Sequence, residues 1–374
     1  MGNGTSDVII VGGGVIGLSL AYELALKKVS VSILEKGQIG QEASSAGAGI
    51  LSPLAEMTET GPLTQLFLAS KKIYPDFVKG VSFRAGIAVE WNPCGLLSVA
   101  LTPEGQQKLQ EKHNWQSGLG LTVQQCSRQE ALELENDLSP ELLSALYFPQ
   151  EATVDNIQLV EALRISCLQL GVRLVCGCQV FSINRESSRT TGVQTSLGDW
   201  QAAKVVNAAG CWSSHIATGL PYKIPIQPVR GQMVTVKTDT PALKHIVYSE
   251  GCYLVPRRDG RILLGSTMEW VGYDKQVTLQ GVQQLTSAAV AVFPRIYSSI
   301  FLSCWAGLRP YCEGGAPVLG PTGIEGLYFA TGHFRNGLLL APITARLMSE
   351  LILTETLPKL LETFTPDRFK QREP

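Results

Sequence analysis

The sequence predicts a mixed α/β fold in which a domain built on a parallel sheet is joined to a second domain built on an antiparallel sheet. Three observations support this: a strand–turn–helix–strand pattern over residues 8–36, alternating apolar and polar residues between 229 and 268, and a strand ending in alanine and glycine at 208–210. With 374 residues, 45% of them hydrophobic, the chain is long and apolar enough for two cores.

The first element is a short apolar strand, 8–11, that runs into the pattern Gly12-x-Gly14-x-x-Gly17. A helical pattern follows, and a second strand at 29–34 completes the unit. In such a unit the first glycine permits the tight turn, the second admits a pyrophosphate and the third lets helix and strand pack closely. The N–H groups and the dipole at the start of the helix favour phosphate. The pattern therefore indicates a dinucleotide site; the alternative is a plain strand–helix turn.

An acid, Glu35, stands at the end of the second strand. At this position a carboxylate accepts hydrogen bonds from a ribose hydroxyl pair. The same carboxylate disfavours a 2′-phosphate, which argues against NADP, while FAD and NAD both stay open. The alternative is an exposed glutamate that caps the turn.

Residues 37–53 are unusually rich in small side chains. Small residues let backbone lie flat against a ligand, and Ser44 adds a hydroxyl and an N–H donor. The alternative is a flexible surface loop, but the apolar residues 50–54 indicate that the chain turns inward. The small residues are Ala43, Ser44, Ser45, Ala46, Gly47, Ala48 and Gly49.

A second block of residues, 153–210, has the pattern of further cofactor-side structure. Residues 153–170 carry a helical pattern and 172–183 a strand pattern, and 192–210 read as a hairpin that turns at Gly198-Asp199. Its last strand ends in small residues, which bring bare backbone close to a ligand. Any of these elements alone is equally typical of an α/β core.

Composition excludes several classes of function. A net charge of -1 argues against a dedicated nucleic-acid binder. Nine scattered cysteines without a C-x-x-C pair indicate reduced thiols in a cytoplasmic protein, and the four histidines lack metal-ligand spacing, so we expect no metal. The apolar stretch 8–22 is too short for a spanning helix and follows an aspartate, so we expect neither a signal peptide nor a membrane span.

Together these motifs resemble the FAD-dependent amino-acid oxidases, the family of D-amino-acid oxidase and sarcosine oxidase, and within it the glycine oxidases. The resemblance covers about residues 8–350. Its most specific part is the pairing of GLRP at 307–310 with GHFRNGLLLAP at 332–342. It implies a Rossmann-type FAD-binding domain, a discontinuous antiparallel-sheet substrate domain and FAD held without a covalent bond. Other matching stretches are EASSAGAGILSP, VVNAAG, VRGQMV and YLVPRRDGRILLGSTME.

The resemblance also implies which residues contact FAD. They lie in the glycine turn, at the end of the second strand, in the small-residue loop, near residues 180 and 208, and in the loop that leads into the last long helix, whose N–H groups would face the flavin. These residues are Gly12, Gly14, Val15, Ile16, Gly17, Glu35, Lys36, Ala43, Ser44, Ala48, Gly49, Ile50, Val180, Ala208, Gly210, His333, Phe334, Arg335, Asn336, Gly337, Leu338 and Leu339.

On the substrate side, the resemblance implies that Arg309 binds the substrate carboxylate, because a guanidinium forms a bidentate fork with a carboxylate. It implies substrate contacts for Arg335, Tyr253 and Met268, and a catalytic role in positioning for Arg309 and Tyr253. The alternatives are ordinary sheet packing for Tyr253 and Met268, and structural salt bridges for the two arginines. Among apolar neighbours, Arg335 either reaches water or has an anion to meet, and beside a structural salt bridge the candidate anions are the substrate carboxylate and the reduced flavin.

The implied reaction is the oxidation of glycine, or of another small amine or D-amino acid, by dioxygen, giving glyoxylate or another keto acid, ammonia and hydrogen peroxide. The resemblance suggests a cytoplasmic homotetramer that supplies iminoglycine for the thiazole of thiamine. The open alternatives are a sarcosine oxidase, a quinone-linked D-amino-acid dehydrogenase, an NAD-linked dehydrogenase and a non-catalytic flavin-binding assembly partner.

Two departures from the family pattern bear on these expectations. Gly251 stands where glycine oxidases tend to carry histidine, which puts the preferred substrate in doubt. Cys312 lies where sarcosine oxidases attach flavin covalently.

For the domains, we expect residues 1–79, 150–219 and 306–374 to bind FAD, and residues 80–149 and 220–305 to bind the substrate.

Overall fold

The structure is a computed structural model that describes residues 4–57, 59–238 and 243–370. Its longest helices are α4 and α10, and short 3₁₀ turns lie at Gly210–Trp212, Pro294–Ser298, Lys359–Phe364 and Pro366–Phe369. The helices are α1 (Val15–Leu26), α2 (Ala43–Ala46), α3 (Pro53–Glu56), α4 (Pro62–Ala85), α5 (Pro103–Gly118), α6 (Arg128–Leu134), α7 (Asn156–Gln169), α8 (Ser213–Ile216), α9 (Leu279–Val292) and α10 (Gly337–Thr354).

The strands form two large sheets and one small one. They are β1 (Thr5–Val11), β2 (Val31–Leu34), β3 (Ile50–Leu51), β4 (Trp91–Asn92), β5 (Leu96–Ala100), β6 (Gln124–Ser127), β7 (Ser144–Phe148), β8 (Ala152–Val154), β9 (Arg173–Val175), β10 (Val180–Glu186), β11 (Arg189–Thr195), β12 (Gly198–Asn207), β13 (Ile226–Lys237), β14 (Ile246–Tyr248), β15 (Tyr253–Pro256), β16 (Arg261–Gly265), β17 (Ile300–Cys312), β18 (Val318–Pro321) and β19 (Leu327–Thr331).

The first sheet has the strand order β10-β11-β12-β1-β2-β9, with β19 also pairing with β12 and β18 pairing with β19. Strands β12, β1, β2 and β9 run parallel, as does β19 with β12. Residues 8–11 of β1 are buried at the centre, because α1 and its neighbours cover the sheet. This is the Rossmann-type arrangement that the N-terminal pattern predicts.

The second sheet has the order β17-β13-β16-β15-β14-β5-β7-β6 and is antiparallel except for the β14–β5 pair. Its longest pairing joins β13 to β17, from Ile226–Cys312 to Lys237–Ile300. Helix α9 packs on this sheet through Leu285, Ala289 and Val292, which form a separate core with the sheet residues. The mixed α/β fold with an antiparallel-sheet region is therefore confirmed.

Two details differ from the sequence interpretation. The hairpin predicted to turn at Gly198-Asp199 turns at residues 196–197, and Gly198 is already the first residue of β12. Strand β17 continues without a break through the expected domain boundary at 305/306, because it stays paired with β13 along its length. The division into two domains otherwise remains a prediction.

Helix α10 is, within the described residues, the one helix long and apolar enough to cross a membrane, and 67% of it is buried inside the protein. It packs against α1 and α4, so its apolar character is that of a core helix. The nine cysteines are unpaired. Across residues 4–57, 59–238 and 243–370, no group of three or more His, Cys, Asp and Glu side chains could hold a metal ion.

Candidate active site

A deep cleft lies between the edge of the first sheet and the face of the second. It encloses about 1800 Å³ of space, counting the open solvent at its mouth. Its walls come from residues 11–56, 178–180, 208–216, 231–266 and 307–338, although not every residue in these ranges reaches the cleft. The cleft is thus long enough to bring the glycine turn and the second sheet into one site.

The glycine turn has the geometry required for close backbone contacts. Gly12 adopts a φ of 107°, and a Cβ there would lie 2.5 Å from the carbonyl oxygen of Ala208. A Cβ on Gly17 would collide with the carbonyl oxygen of Gly12, so Gly17 is needed for the packing of α1 on β1. Gly12 and Gly14 line the cleft, whereas Gly17 lies behind it.

Glu35 is buried at the edge of the cleft and is held by backbone donors. Its Oε2 accepts from the N–H of Gly13 at 2.8 Å, and its Oε1 accepts from the N–H of Gly37 at 2.9 Å. Each carboxylate oxygen has a further lone pair, so Glu35 can still accept from a pair of ligand hydroxyls. The next residue, Lys36, places its ammonium 3.0 Å from the centre of the Trp212 ring.

The small-residue segment is held in place from behind rather than being a flexible loop. The Ser44 Oγ accepts from the N–H of Val15 at 2.8 Å, which joins this segment to the start of α1. The Asn156 side chain donates to the carbonyl oxygens of Ser44 and Ser45, and Arg257 donates to that of Ala48 at 2.9 Å. The backbone of the segment is therefore fixed along the cleft wall.

The loop before α10 closes one end of the cleft. The N–H of Phe334 donates to the carbonyl oxygen of Pro310 at 3.0 Å, which ties this loop to β17. His333 is buried, its Nε2 lies 3.1 Å from the Thr344 Oγ1, and burial lowers its pKa to about 3. His333 is therefore neutral at physiological pH, and α10 begins at Gly337 with its N-terminus facing the cleft.

Arg309 projects from β17 into the cleft, where it lies over Gly231. Its Nη1 donates to the carbonyl oxygen of Thr267 at 3.2 Å, and its Nη2 donates to the Ser266 Oγ at 2.5 Å. Of its five N–H donors, three remain for a ligand. In the part of the chain that the structure describes, no carboxylate pairs with Arg309, so it offers a positioned fork to an anion.

Arg335 differs, because its anion is already present in the protein. Its Nη2 donates to the Glu56 Oε1 at 2.6 Å and to the Tyr248 Oη at 3.2 Å. The Tyr248 hydroxyl donates in turn to the same Glu56 oxygen at 2.7 Å. Burial lowers the pKa of Arg335, but Glu56 and Tyr248 outweigh burial and leave the pKa raised. Arg335 thus forms the structural salt bridge named above as the alternative for this arginine, and its contacts with substrate and flavin remain predictions.

Sequence reasoning missed Glu56 and Tyr248, which both line the cleft. Glu56 ends the short helix α3, directly after an apolar segment that turns inward. An acid at the end of an apolar segment that turns inward indicates a cationic partner, and this pattern was the one signal in the sequence for Glu56. Tyr248 stacks on Tyr253, with ring centres 5.4 Å apart, so the two tyrosines form one wall.

Most of the predicted cofactor and substrate residues line the cleft, and three do not. Gly17 and Leu339 are buried in the packing behind it. Met268 is 56% exposed and lies outside the cleft, since the chain leaves the sheet after β16; its assignment as a pocket residue is therefore not supported by its position. Cys312 is also outside the cleft: it is fully buried, with its Sγ 3.6 Å from Arg368 Nη2.

The residues present fit FAD. The bare backbone at Gly12 and Gly14, the helix N-terminus and the Glu35 carboxylate match the phosphates and ribose of a dinucleotide. The fixed small-residue wall and the start of α10 continue along the same cleft and present backbone that would hold a planar ring system. The cleft passes from there to Arg309 and the two tyrosines.

Comparison with known proteins agrees with this site. The sequence profile of the family described as FAD dependent oxidoreductase (DAO) matches residues 7–351. The chain is 36% identical to glycine oxidase of Pseudomonas putida over 350 residues, covering 93% of this chain and 94% of that protein. It is 37% identical to the bifunctional protein ThiO/ThiG of Synechocystis over 374 residues, which cover 98% of this chain but 54% of that protein. The chain thus spans about half the length of this bifunctional relative.

Among solved structures, the crystal structure of glycine oxidase from Geobacillus kaustophilus superimposes with a TM-score of 0.94. It is 34% identical in sequence, and the match covers 99% of both chains. The fold, the cleft and these matches agree, so the chain belongs to the FAD-dependent oxidoreductase family that includes the glycine oxidases, and FAD is its cofactor.

Proposed function

We propose that the protein is a glycine oxidase, which converts glycine, dioxygen and water into glyoxylate, ammonia and hydrogen peroxide. The observation that carries the proposal is Arg309, a cleft arginine whose fork faces the cavity without a carboxylate partner in the described residues. Such a fork is suited to the carboxylate of a small amino acid. The glycine oxidases among the relatives support the same substrate.

Bound FAD supplies the two-electron oxidation of the amine carbon, and the chain's own residues bind and orient the substrate. Arg309 holds the carboxylate, and Tyr253, backed by Tyr248, forms the wall beside it. Burial raises the pKa of Tyr248 well above its ordinary value, so its hydroxyl stays protonated and donates to Glu56. Held in this way, the substrate has little freedom, and positioning contributes much of the rate.

The substrate amine must be neutral to lose hydride. We therefore expect kcat/KM to rise with pH through the titration of the substrate amine. The remaining FAD contacts expected from the sequence stay part of this proposal, as does FAD held without a covalent bond.

The biological setting is also proposed. Relatives named ThiO/ThiG support a role in supplying iminoglycine for the thiazole of thiamine, in the cytoplasm. For a homotetramer, the support is an exposed apolar run at the start of edge strand β17, where Ile300, Phe301 and Leu302 are each at least 44% exposed. Light scattering of the purified holoprotein measures the oligomer directly.

The test is hydrogen peroxide production with glycine, sarcosine and D-alanine, together with anaerobic bleaching of the flavin absorbance. Glycine oxidase predicts peroxide with glycine as the best or a near-best substrate. Sarcosine as the only good substrate would replace the proposal with a sarcosine oxidase. Bleaching without peroxide, relieved by a quinone, would indicate a dehydrogenase, and bound FAD that no amine bleaches would indicate a non-catalytic flavoprotein.

A further inference from the structure

The two arginines at the substrate end of the cleft are close in the fold, but within the described residues Arg335 is ion-paired with Glu56 and Arg309 is paired with no carboxylate. The residue after Arg309, Pro310, accepts a hydrogen bond from the residue before Arg335 at 3.0 Å. Tyr253 contacts the surroundings of both arginines. Its ring stacks on Tyr248, which is the hydrogen-bond partner of Arg335. Its hydroxyl donates to the Met233 sulfur at 3.3 Å, and Met233 is two residues from Gly231, which lies beneath Arg309.

Resting on the proposed function, we propose that Glu56 is a specificity-determining residue: by holding Arg335 in an ion pair, it leaves Arg309 as the arginine available to substrate and so selects amines that carry one carboxylate.

The Glu56–Arg335 ion pair is stabilised by a third side chain, Tyr248. One Glu56 oxygen accepts from Arg335 at 2.6 Å and from Tyr248 at 2.7 Å, and Tyr248 accepts from Arg335 at 3.2 Å, so the three side chains form a closed triangle. The Glu56 side chain is 16% exposed and that of Arg335 is 35% exposed, so solvent screens the pair only partly. All three residues line the cleft.

The consequence concerns the class of substrate. A cleft with two free arginines binds a second anionic group as well as the first, because each guanidinium forms charge-assisted hydrogen bonds with a carboxylate. With Glu56 in place, a second carboxylate must compete with the Glu56 carboxylate for Arg335 and is repelled by it. Without the Glu56 charge, Arg335 becomes an additional binding group, and dicarboxylates and N-carboxymethyl amines become better ligands.

The experiment uses the FAD-loaded protein and follows the flavin absorbance during titration with acetate, malonate, succinate and glutarate. In Glu56→Gln we expect at least one dicarboxylate to bind about tenfold more tightly, relative to acetate, than in the natural protein. Glu56→Ala is expected to show the same change, and the double variant Glu56→Gln/Arg335→Gln to lose it. The matched control is Glu325→Gln, which removes an exposed ion-paired acid that does not line the cleft.

Turnover provides a second readout. In Glu56→Gln, the ratio of kcat/KM for iminodiacetate to that for glycine should rise by about tenfold, the same factor as in the titration. Unchanged ratios in both Glu56 variants would overturn the proposal and assign Glu56 a purely structural role. A gain that survives in the double variant would also overturn it, because Arg335 would then not be the group released.

Failure of the proposed function has a different signature. In that case the natural protein oxidises none of the amines, yet the carboxylate titrations still report whether Glu56 controls Arg335. Each holoprotein is first compared for FAD content and thermal unfolding, so that loss of the fold is not mistaken for a change in selectivity.

Discussion

Replacing Arg309 with alanine tests the proposed carboxylate site most directly. The guanidinium is half-buried and is positioned by hydrogen bonds to the Thr267 carbonyl oxygen and the Ser266 hydroxyl. Three of its N–H groups remain for the substrate. Because its two protein contacts are to neutral groups, removing Arg309 does not leave a buried protein charge unpaired, and the loss falls on the substrate carboxylate.

The magnitude follows from this position. Truncating one partner of a buried, hydrogen-bonded charge pair costs about 2–5 kcal/mol, and a half-buried site belongs in the lower part of that range. A loss of about 2–3 kcal/mol corresponds to a KM for glycine raised about 30- to 150-fold. Arg309→Lys retains the charge but not the fork, so its KM should lie between those of alanine and the natural residue.

The assay is steady-state peroxide production over a range of glycine concentrations, with FAD content measured for each variant. Arg309 lies at the substrate end of the cleft, so FAD content should stay close to that of the natural protein. A near-normal KM for glycine in Arg309→Ala would refute the assignment. Equal loss of FAD and of activity would instead place Arg309 in the cofactor site.

Three further predictions concern the surroundings of this site. In Gly231→Ala the new Cβ would collide with the Arg309 guanidinium, so the KM for glycine should rise while FAD content is retained. Burial lowers the pKa of His333 to about 3 in the folded protein, whereas an ordinary histidine has a pKa of about 6.5. Between about pH 6.5 and pH 3 the unfolded chain therefore binds a proton at His333 that the folded protein does not. The free energy of unfolding should then fall by up to about 1.4 kcal/mol per pH unit towards pH 3, and urea unfolding of His333→Gln should show a weaker fall. Because Cys312 is buried outside the cleft, acid precipitation should leave the FAD in the supernatant.

Each of these outcomes has a contrary result. A normal KM in Gly231→Ala would mean that the Arg309 side chain moves without consequence. An unchanged pH dependence in His333→Gln would mean that His333 is not the buried base involved. Yellow colour retained on the precipitated chain would show covalent attachment.

Sequence reasoning succeeded where the determining contacts are local. The turn at Gly12 and the packing of Gly17 on it involve residues five apart, so their spacing already requires the strand–turn–helix geometry. Sequence reasoning was less successful where a shift of two residues along the chain gives an equally plausible assignment. The hairpin turns two residues before the predicted Gly198, and Met268 lies outside the cleft although Ser266, two residues earlier, lines it.

The amino-acid sequence was sufficient for the dinucleotide-binding unit, because glycine spacing acts within a short segment. Arg309 became a carboxylate-binding candidate through the family resemblance, and that role remains a prediction. The ion-pair partner of Arg335 depended on the tertiary structure. Its partner Glu56 lies 279 positions away in the chain, and Tyr248 lies 87 positions away. Folding alone brings these three side chains together in one partly buried site, where a carboxylate 2.6 Å away satisfies the charge that the sequence left without a partner.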